Sequence, residues 1–410
     1  MTKILKMNLE KINSSLFIFY IFSYLFLFEF FENNKFLFNF RHYILFFCFL
    51  ISFLSMILKY DKTFLKDNLY CKKSIYVLIV GVIFLIFSFF DAHKVGYSFS
   101  FRSVVQTSLF VLPTIYVFNI INILPIEKII KLLKIVTLIF IMFYFTEERH
   151  TIFEFLKLEN WRNISYTNSN SFTESHICAE SFLQLFLFFF FIKRYYKNRI
   201  KIKNLNLYTI LNFIFTILSF KRLGVLFAII IMLGSLFINY NKKIKFKSNL
   251  ILTAFFVIMT IVYSEILKGT ITIHDLDINK LTTNRDYILS LWSAKNYFSY
   301  GYGTSLYVIG RYLEMDLMQI YMEIGIFCLT IFIYFYLSLA GKKLYTNLII
   351  IYVLFNLLTS STMPWTSGWV LLIINLCVIS SDVLEKDMTN KEVNLWLKLL
   401  SRLMMEEKIQ

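Results

Sequence analysis

The residues able to do chemistry fall into four short groups, each beside a long apolar block. In the first, Lys221-Arg222 puts two adjacent cations inside the apolar stretch from Thr216 to Gly224. Such a pair either snorkels from a hairpin tip to the membrane interface or holds a phosphate, for which Arg offers a planar bidentate fork. The sequence supports both readings equally. The second group is Asn284-Arg285-Asp286, Trp292 and Gly301-Tyr302-Gly303. Arg285 and Trp292, seven apart, share one face of a helix, and the two glycines permit a tight turn or close backbone approach. The third runs from Glu314-Met315-Asp316 through Gln319 and Glu323 to Gly325. Carboxylates at a helix N-terminus favour its dipole, whereas Glu323, about two turns in, is costly to bury and must face the bundle or a wet cavity. The fourth is Phe172-Thr173-Glu174-Ser175-His176, followed by Glu180 and Gln184. Glu174 reads as a helix cap or an outward acid, and His176 as an interfacial ring or a base. A phosphate-cradling glycine loop, a metal-ligand spacing and a nucleophile elbow are all lacking, so no cofactor or metal is expected.

The elements that must position these groups are membrane helices. Of 410 residues, 58% are apolar, 19% aromatic and 17% charged, against roughly 25% charged in a water-soluble domain. Three prolines and eleven glycines leave no linker-like stretch, so the chain reads as one membrane-embedded helical domain over 1–410. A spanning helix needs about 20 mostly apolar residues. Candidate spans are 15–31, 43–58, 74–90, 101–121, 129–145, 177–192, 207–220, 223–238, 250–267, 316–339, 345–360 and 368–381. The pair around Lys221-Arg222 is either a tight hairpin or one broken element. The basic segment before the first block has no small-residue cleavage site after it, so that block is expected to be a retained helix.

Counting alternate sides, about 28 of the 42 Lys and Arg fall on the side bearing the N-terminus, as the positive-inside bias requires of a cytoplasmic face. Both termini are therefore expected in the cytoplasm, and the net charge of +16 is assigned to anionic headgroups rather than nucleic acid. On the outer side two loops are long, 146–176 and 268–315. The second holds Trp292, Tyr297, Tyr300, Tyr302 and Tyr307, too many aromatics for a disordered segment. It is expected to fold over the outer mouth with a short helix near 284–298. Residues 382–410 follow the last span. There Thr389-Asn390-Lys391-Glu392 forms a capping box opening an amphipathic interfacial helix. The five cysteines, Cys48, Cys71, Cys178, Cys328 and Cys377, have no paired spacing and read as small hydrophobes.

In order and side of the membrane, these groups together resemble the O-antigen and capsule polysaccharide polymerases (Wzy type), relatives of the O-antigen ligases. Phe172-Thr173-Glu174-Ser175-His176 resembles the family's Glu-Pro-Ser-His-like segment before a span. Ser219-Phe220-Lys221-Arg222 resembles its Ser-x-Lys-Arg segment. Arg285, Trp292 and Gly301-Tyr302-Gly303 resemble its Arg…Trp…Gly-x-Gly loop, and Gln319 to Glu323-Ile324-Gly325-Ile326 its return helix. One departure is that the ligases place a His eleven residues before the return-helix glycine, where this chain has Glu314. That favours polymerase over ligase. The resemblance implies a bacterial inner-membrane glycosyltransferase acting at the periplasmic face on oligosaccharide repeats linked to undecaprenyl pyrophosphate. Lys221, Arg222 and Arg285 would hold the pyrophosphate. Trp292 and Tyr302 would meet sugar rings, with Gln319 beside them. Glu314 or Asp316, or alternatively Glu174 or His176, would take the acceptor proton. Membrane lipids and a chain-length regulator protein are the further partners implied. An O-antigen ligase and a lipid-linked oligosaccharide flippase are the alternative functions.

Overall fold

A computed structural model describes residues 3–31, 34–60, 68–147, 176–196, 203–219, 221–244, 247–268, 287, 299–310, 313, 315–360 and 363–380. Glu174, Arg285, Trp292, Glu314 and the tail 382–410 lie outside these residues, as does the predicted 284–298 helix apart from Tyr287. So does the side chain of His176. The described chain is all-α, with thirteen helices. They are α1 (Lys3–Phe31), α2 (Lys35–Lys59), α3 (Leu69–Val95), α4 (Phe101–Ile123), α5 (Ile126–Glu147), α6 (His176–Tyr196), α7 (Leu205–Leu218), α8 (Arg222–Gly234), α9 (Lys247–Leu267), α10 (Ser305–Ile309), α11 (Asp316–Leu339), α12 (Leu344–Thr359) and α13 (Thr366–Ser380). Seven of them, α1 to α5, α9 and α11, are long and apolar enough to cross a membrane. The protein is a polytopic membrane protein.

Local chemistry sets several boundaries. Asn34 accepts hydrogen bonds from the Phe36 and Leu37 N–H groups, and Asn68 from those of Tyr70 and Cys71, so α2 and α3 each open on an Asn cap. Gly96, at φ 77°, closes α3 in the left-handed conformation, and Ser100 caps α4. The caps place the second span's helix eight residues upstream of its first apolar tyrosine, so Arg41 and His42 lie inside α2.

Long-range contacts fix the helix directions. At one end, here the base, Lys59 donates to the Ile123 carbonyl (2.5 Å) and Tyr70 to that of Cys377 (3.1 Å), while Lys243 and Lys343 pair through an isolated antiparallel bridge. At the other end, the mouth, Tyr24 donates to Pro364, Tyr144 to Leu218, and Asp316 to Ser360. Central helix α13 is buried from Thr366 to Ile379, as its apolar composition all round requires. Helices α1 to α3 turn many aromatic and aliphatic side chains outward. All five cysteines are free, and four of them are buried.

The stretch around Lys221 is a hairpin. Phe189 meets Tyr208 and Phe182 meets Phe215, so α7 runs antiparallel to α6. Lys221 reaches Glu180 while the Ser235 carbonyl accepts from Arg194, so α8 runs back along α6 towards the base. Helix α11 is broken at Gly325, where φ is 86° and ψ 175°, a region essentially reserved for glycine. The break separates Asp316–Ile324 from the long inner segment and turns Glu323 inward. Gly325→Ala should therefore destabilise the protein by about 1–3 kcal/mol, read as a lower melting temperature of the purified protein in detergent. An unchanged melting curve would mean that the helix straightens without cost.

Candidate functional site

Two polar centres occupy the mouth. The first is built on Glu323, which is 1% exposed. Its two carboxylate oxygens accept from the backbone N–H groups of Gly303 (2.6 Å) and Ser305 (2.9 Å). Helix α11 thereby grips the loop Gly301-Tyr302-Gly303-Thr304, and α10 begins from the same grip. The loop must come in close, and its glycines allow it. At Gly301, φ 130°, a side-chain carbon would stand 2.8 Å from the Ser103 hydroxyl. At Gly303, φ 80°, it would stand 3.0 Å from Gln106. The Tyr302 N–H donates to Ser88 (3.0 Å), and its ring meets Phe84 edge-on at 5.4 Å. Burial, then the Asp316 and Glu323 carboxylates nearby, hold the Tyr302 phenol well above its usual range, so it stays neutral.

Tyr302 is thus the loop's anchor in the core. The aromatic surface at this mouth is instead Tyr97, exposed, stacked on Tyr300 at 4.9 Å. Gln319, one turn before Glu323, faces the same side and is buried. Asp316 is fully buried, and its carboxylate accepts from the Met363 N–H (2.9 Å). It ties the start of α11 to the turn between α12 and α13.

The second centre is built on Glu180, 8% exposed. Its carboxylate lies 3.5 Å from the Lys221 ammonium at the hairpin tip. It also accepts from the Tyr352 hydroxyl (3.0 Å), the Asn356 amide (3.3 Å) and the Gln184 amide (3.3 Å). Gln184 in turn accepts from Asn375 at 2.8 Å. Gly224 keeps the tip close to α12, because a side chain there would stand 3.4 Å from the Tyr352 hydroxyl. Arg222 is exposed at the start of α8. Glu180 pairs with the Lys221 ammonium, and the adjacent Arg222 adds a second cation at the same tip.

The two centres share one element, the stretch 356–368. Asn356 binds Glu180, Ser360 and Met363 bind Asp316, and Gly368 packs beside Glu180. Of the sequence-nominated residues, Lys221, Arg222, Asp316, Gln319 and Tyr302 are described, and all five lie at this end. Glu180, Gln184 and Glu323 belong to the same site, while Tyr352, Asn356 and Asn375 were not nominated, since uncharged residues within apolar spans leave no motif. Among the described residues, no three His, Cys, Asp or Glu side chains converge as metal ligands. No family model matches the chain, and neither a curated protein nor a solved structure is similar to it.

Lys221→Met should leave Glu180 charged without its cation and cost about 3–5 kcal/mol. Adding Glu180→Gln to it should recover part of that loss. Chemical denaturation of the two variants measures both, and a double variant no more stable than Lys221→Met would mean the pair is not coupled. Glu323→Ala leaves two buried N–H groups unpaired, at about 1–3 kcal/mol each. Limited proteolysis should then cut within 299–310 faster than in the wild type, and equal cutting rates would argue against the clamp.

Proposed function

We propose that the chain crosses the bacterial inner membrane twelve times, with both ends of the sequence in the cytoplasm. On this reading it polymerises lipid-pyrophosphate-linked oligosaccharide repeats at its outer mouth. The alternation of helix direction supports the count, taking α7 and α8 as two short crossings. The Lys and Arg bias towards the base supports the orientation. The observation that carries the function is the convergence of the two polar centres. The glycine loop gripped by Glu323 reaches Met363 through Tyr302, and the Lys221 tip reaches Asn356 through Glu180, so both lie beside the turn between α12 and α13 at one end of the bundle.

The chemistry follows from that arrangement. A hydroxyl oxygen of the acceptor sugar attacks the anomeric carbon of the donor glycan as the bond to the pyrophosphate oxygen breaks. Lys221, Arg222 and Arg285 offset the charge appearing on the departing pyrophosphate. The proton passes to a carboxylate at the mouth. Asp316 and Glu323 are engaged with backbone N–H groups; Glu314 or Asp316, or alternatively Glu174 or His176, takes the proton. Trp292, with the Tyr97–Tyr300 pair, offers ring faces to sugars.

Purified protein given lipid-linked repeat units, with no nucleotide sugar added, should lengthen them. Arg222→Ala and Arg285→Ala should each slow that reaction about a hundredfold, the cost of losing a donor at developing charge. Undiminished lengthening by both variants would refute these roles. Transfer to lipid A-core in place of lengthening would make the protein a ligase, and vectorial movement without bond formation a flippase. For orientation, a cysteine at Asn241 should react with a membrane-impermeant thiol reagent only after the cell is broken open. One at Thr283 should react in intact spheroplasts, and the reverse pattern would invert the topology.

A further inference from the structure

Arg41, in the second turn of α2, is 5% exposed. Its guanidinium carbon lies 3.8 Å from the centre of the Phe38 ring, 5.0 Å from Tyr24, 5.3 Å from Phe28 and 6.0 Å from Trp365. Rings attract the cation through their faces, but guanidinium N–H groups lie in its own plane and need acceptors there. The Nε and Nη1 of Arg41 are enclosed and have no partner. Nor has the Nδ1 of His42, the next residue. No salt bridge forms at Arg41 among the described residues. A buried guanidinium with open donors and no counter-charge is strongly unfavourable unless an anion completes it.

The surroundings say what kind of anion. The outward side of α2 next to Arg41 is a ladder of exposed rings, Phe36, Phe40 and Tyr43, each in contact with the next. On the inner side the Trp365 and Phe28 rings meet at a tilt with centroids 4.7 Å apart, and Tyr24 donates to the Pro364 carbonyl at 3.0 Å. A ligand here has one charged, planar-coordinated group and an apolar chain lying along the helix. We propose that Arg41, with His42 beside it, binds the phosphate of a membrane lipid against the Pro364-Trp365 corner. The site uses none of the residues assigned to pyrophosphate departure, and it stands whether or not the protein is a polymerase.

The full-length protein, purified in neutral detergent, should be titrated by native mass spectrometry. The ligands are phosphatidylglycerol, undecaprenyl phosphate, the phosphate-free diacylglycerol, and inorganic phosphate. Both phosphate lipids should bind the wild type, and at least one should bind Arg41→Gln about tenfold or more weakly, while diacylglycerol should not distinguish the two. Arg41→Lys keeps the charge but loses the planar fork. It should fall between them, and it carries the test if Arg41→Gln does not fold. Preference for undecaprenyl phosphate identifies a polyprenyl ligand, and preference for phosphatidylglycerol a bilayer lipid. Equal binding of both lipids by the wild type and by a folded variant overturns the proposal. So does inorganic phosphate binding as tightly as either lipid.

Discussion

A carboxylate inside an apolar bundle must find hydrogen-bond donors, and Glu323 finds them in a backbone. Its two oxygens take the N–H groups of Gly303 and Ser305, groups a buried loop would otherwise leave unsatisfied. Each side removes the other's penalty. Everything around the grip is arranged to permit it. Gly325 breaks α11 one residue after Ile324, so that the acid turns inward. Gly301 and Gly303 let the loop lie against Ser88, Ser103 and Gln106, where any side chain would collide. Tyr302 then drops into the core beside Phe84. One side chain thereby ties α3, α4, α10 and α11 together.

The Glu180 centre solves the same problem with side chains. Lys221 comes from the hairpin tip, Tyr352 and Asn356 from α12 and Gln184 from α6, and each has rotamer freedom that a backbone amide lacks. A network of this kind can open one contact at a time, whereas the Glu323 grip lets go of its loop as a unit. The mouth therefore combines a stiff wall at the glycine loop with an adjustable one at the hairpin tip. Asn356 and Met363, on either side of the turn between α12 and α13, each bond to one wall.

Helix positions were legible because apolar runs of membrane length have few alternatives. The polar groups flanking them were legible because charge is rare in such a chain. Glu323 was read as inward-facing on that ground, and it is. Gly301 and Gly303 permit a tight turn or a close backbone approach, and the close approach is what forms, with both at positive φ against neighbouring helices. The identity of the partners was less accessible. Asn356, Tyr352 and Asn375 are ordinary span residues until folding brings them to Glu180 and Gln184. Tyr302 looked like a ring offered to a ligand, but its neighbour Phe84 lies more than two hundred residues away. Arg41 escaped notice because the apolar run starts just after it, at Tyr43. The Asn34 cap lengthens α2 upstream and draws the arginine into the helix.

The hairpin of α7 and α8 has a consequence for the lipid around it. At about 1.5 Å per residue, helices of 14 and 13 residues rise only about 21 and 20 Å, against a hydrocarbon core of about 30 Å. Their outward sides, from Leu207 to Ile217 and from Leu223 to Leu233, bear exposed aliphatic side chains, so the bilayer meets them directly. Such a mismatch is relieved by local thinning. On the proposed twelve-span topology, headgroups of the adjoining leaflet would be drawn down beside Lys221 and Arg222, and the cationic tip would sit in a dimple of the membrane surface. An anionic headgroup diffusing in the plane of that leaflet would reach the tip sideways, without leaving the lipid phase.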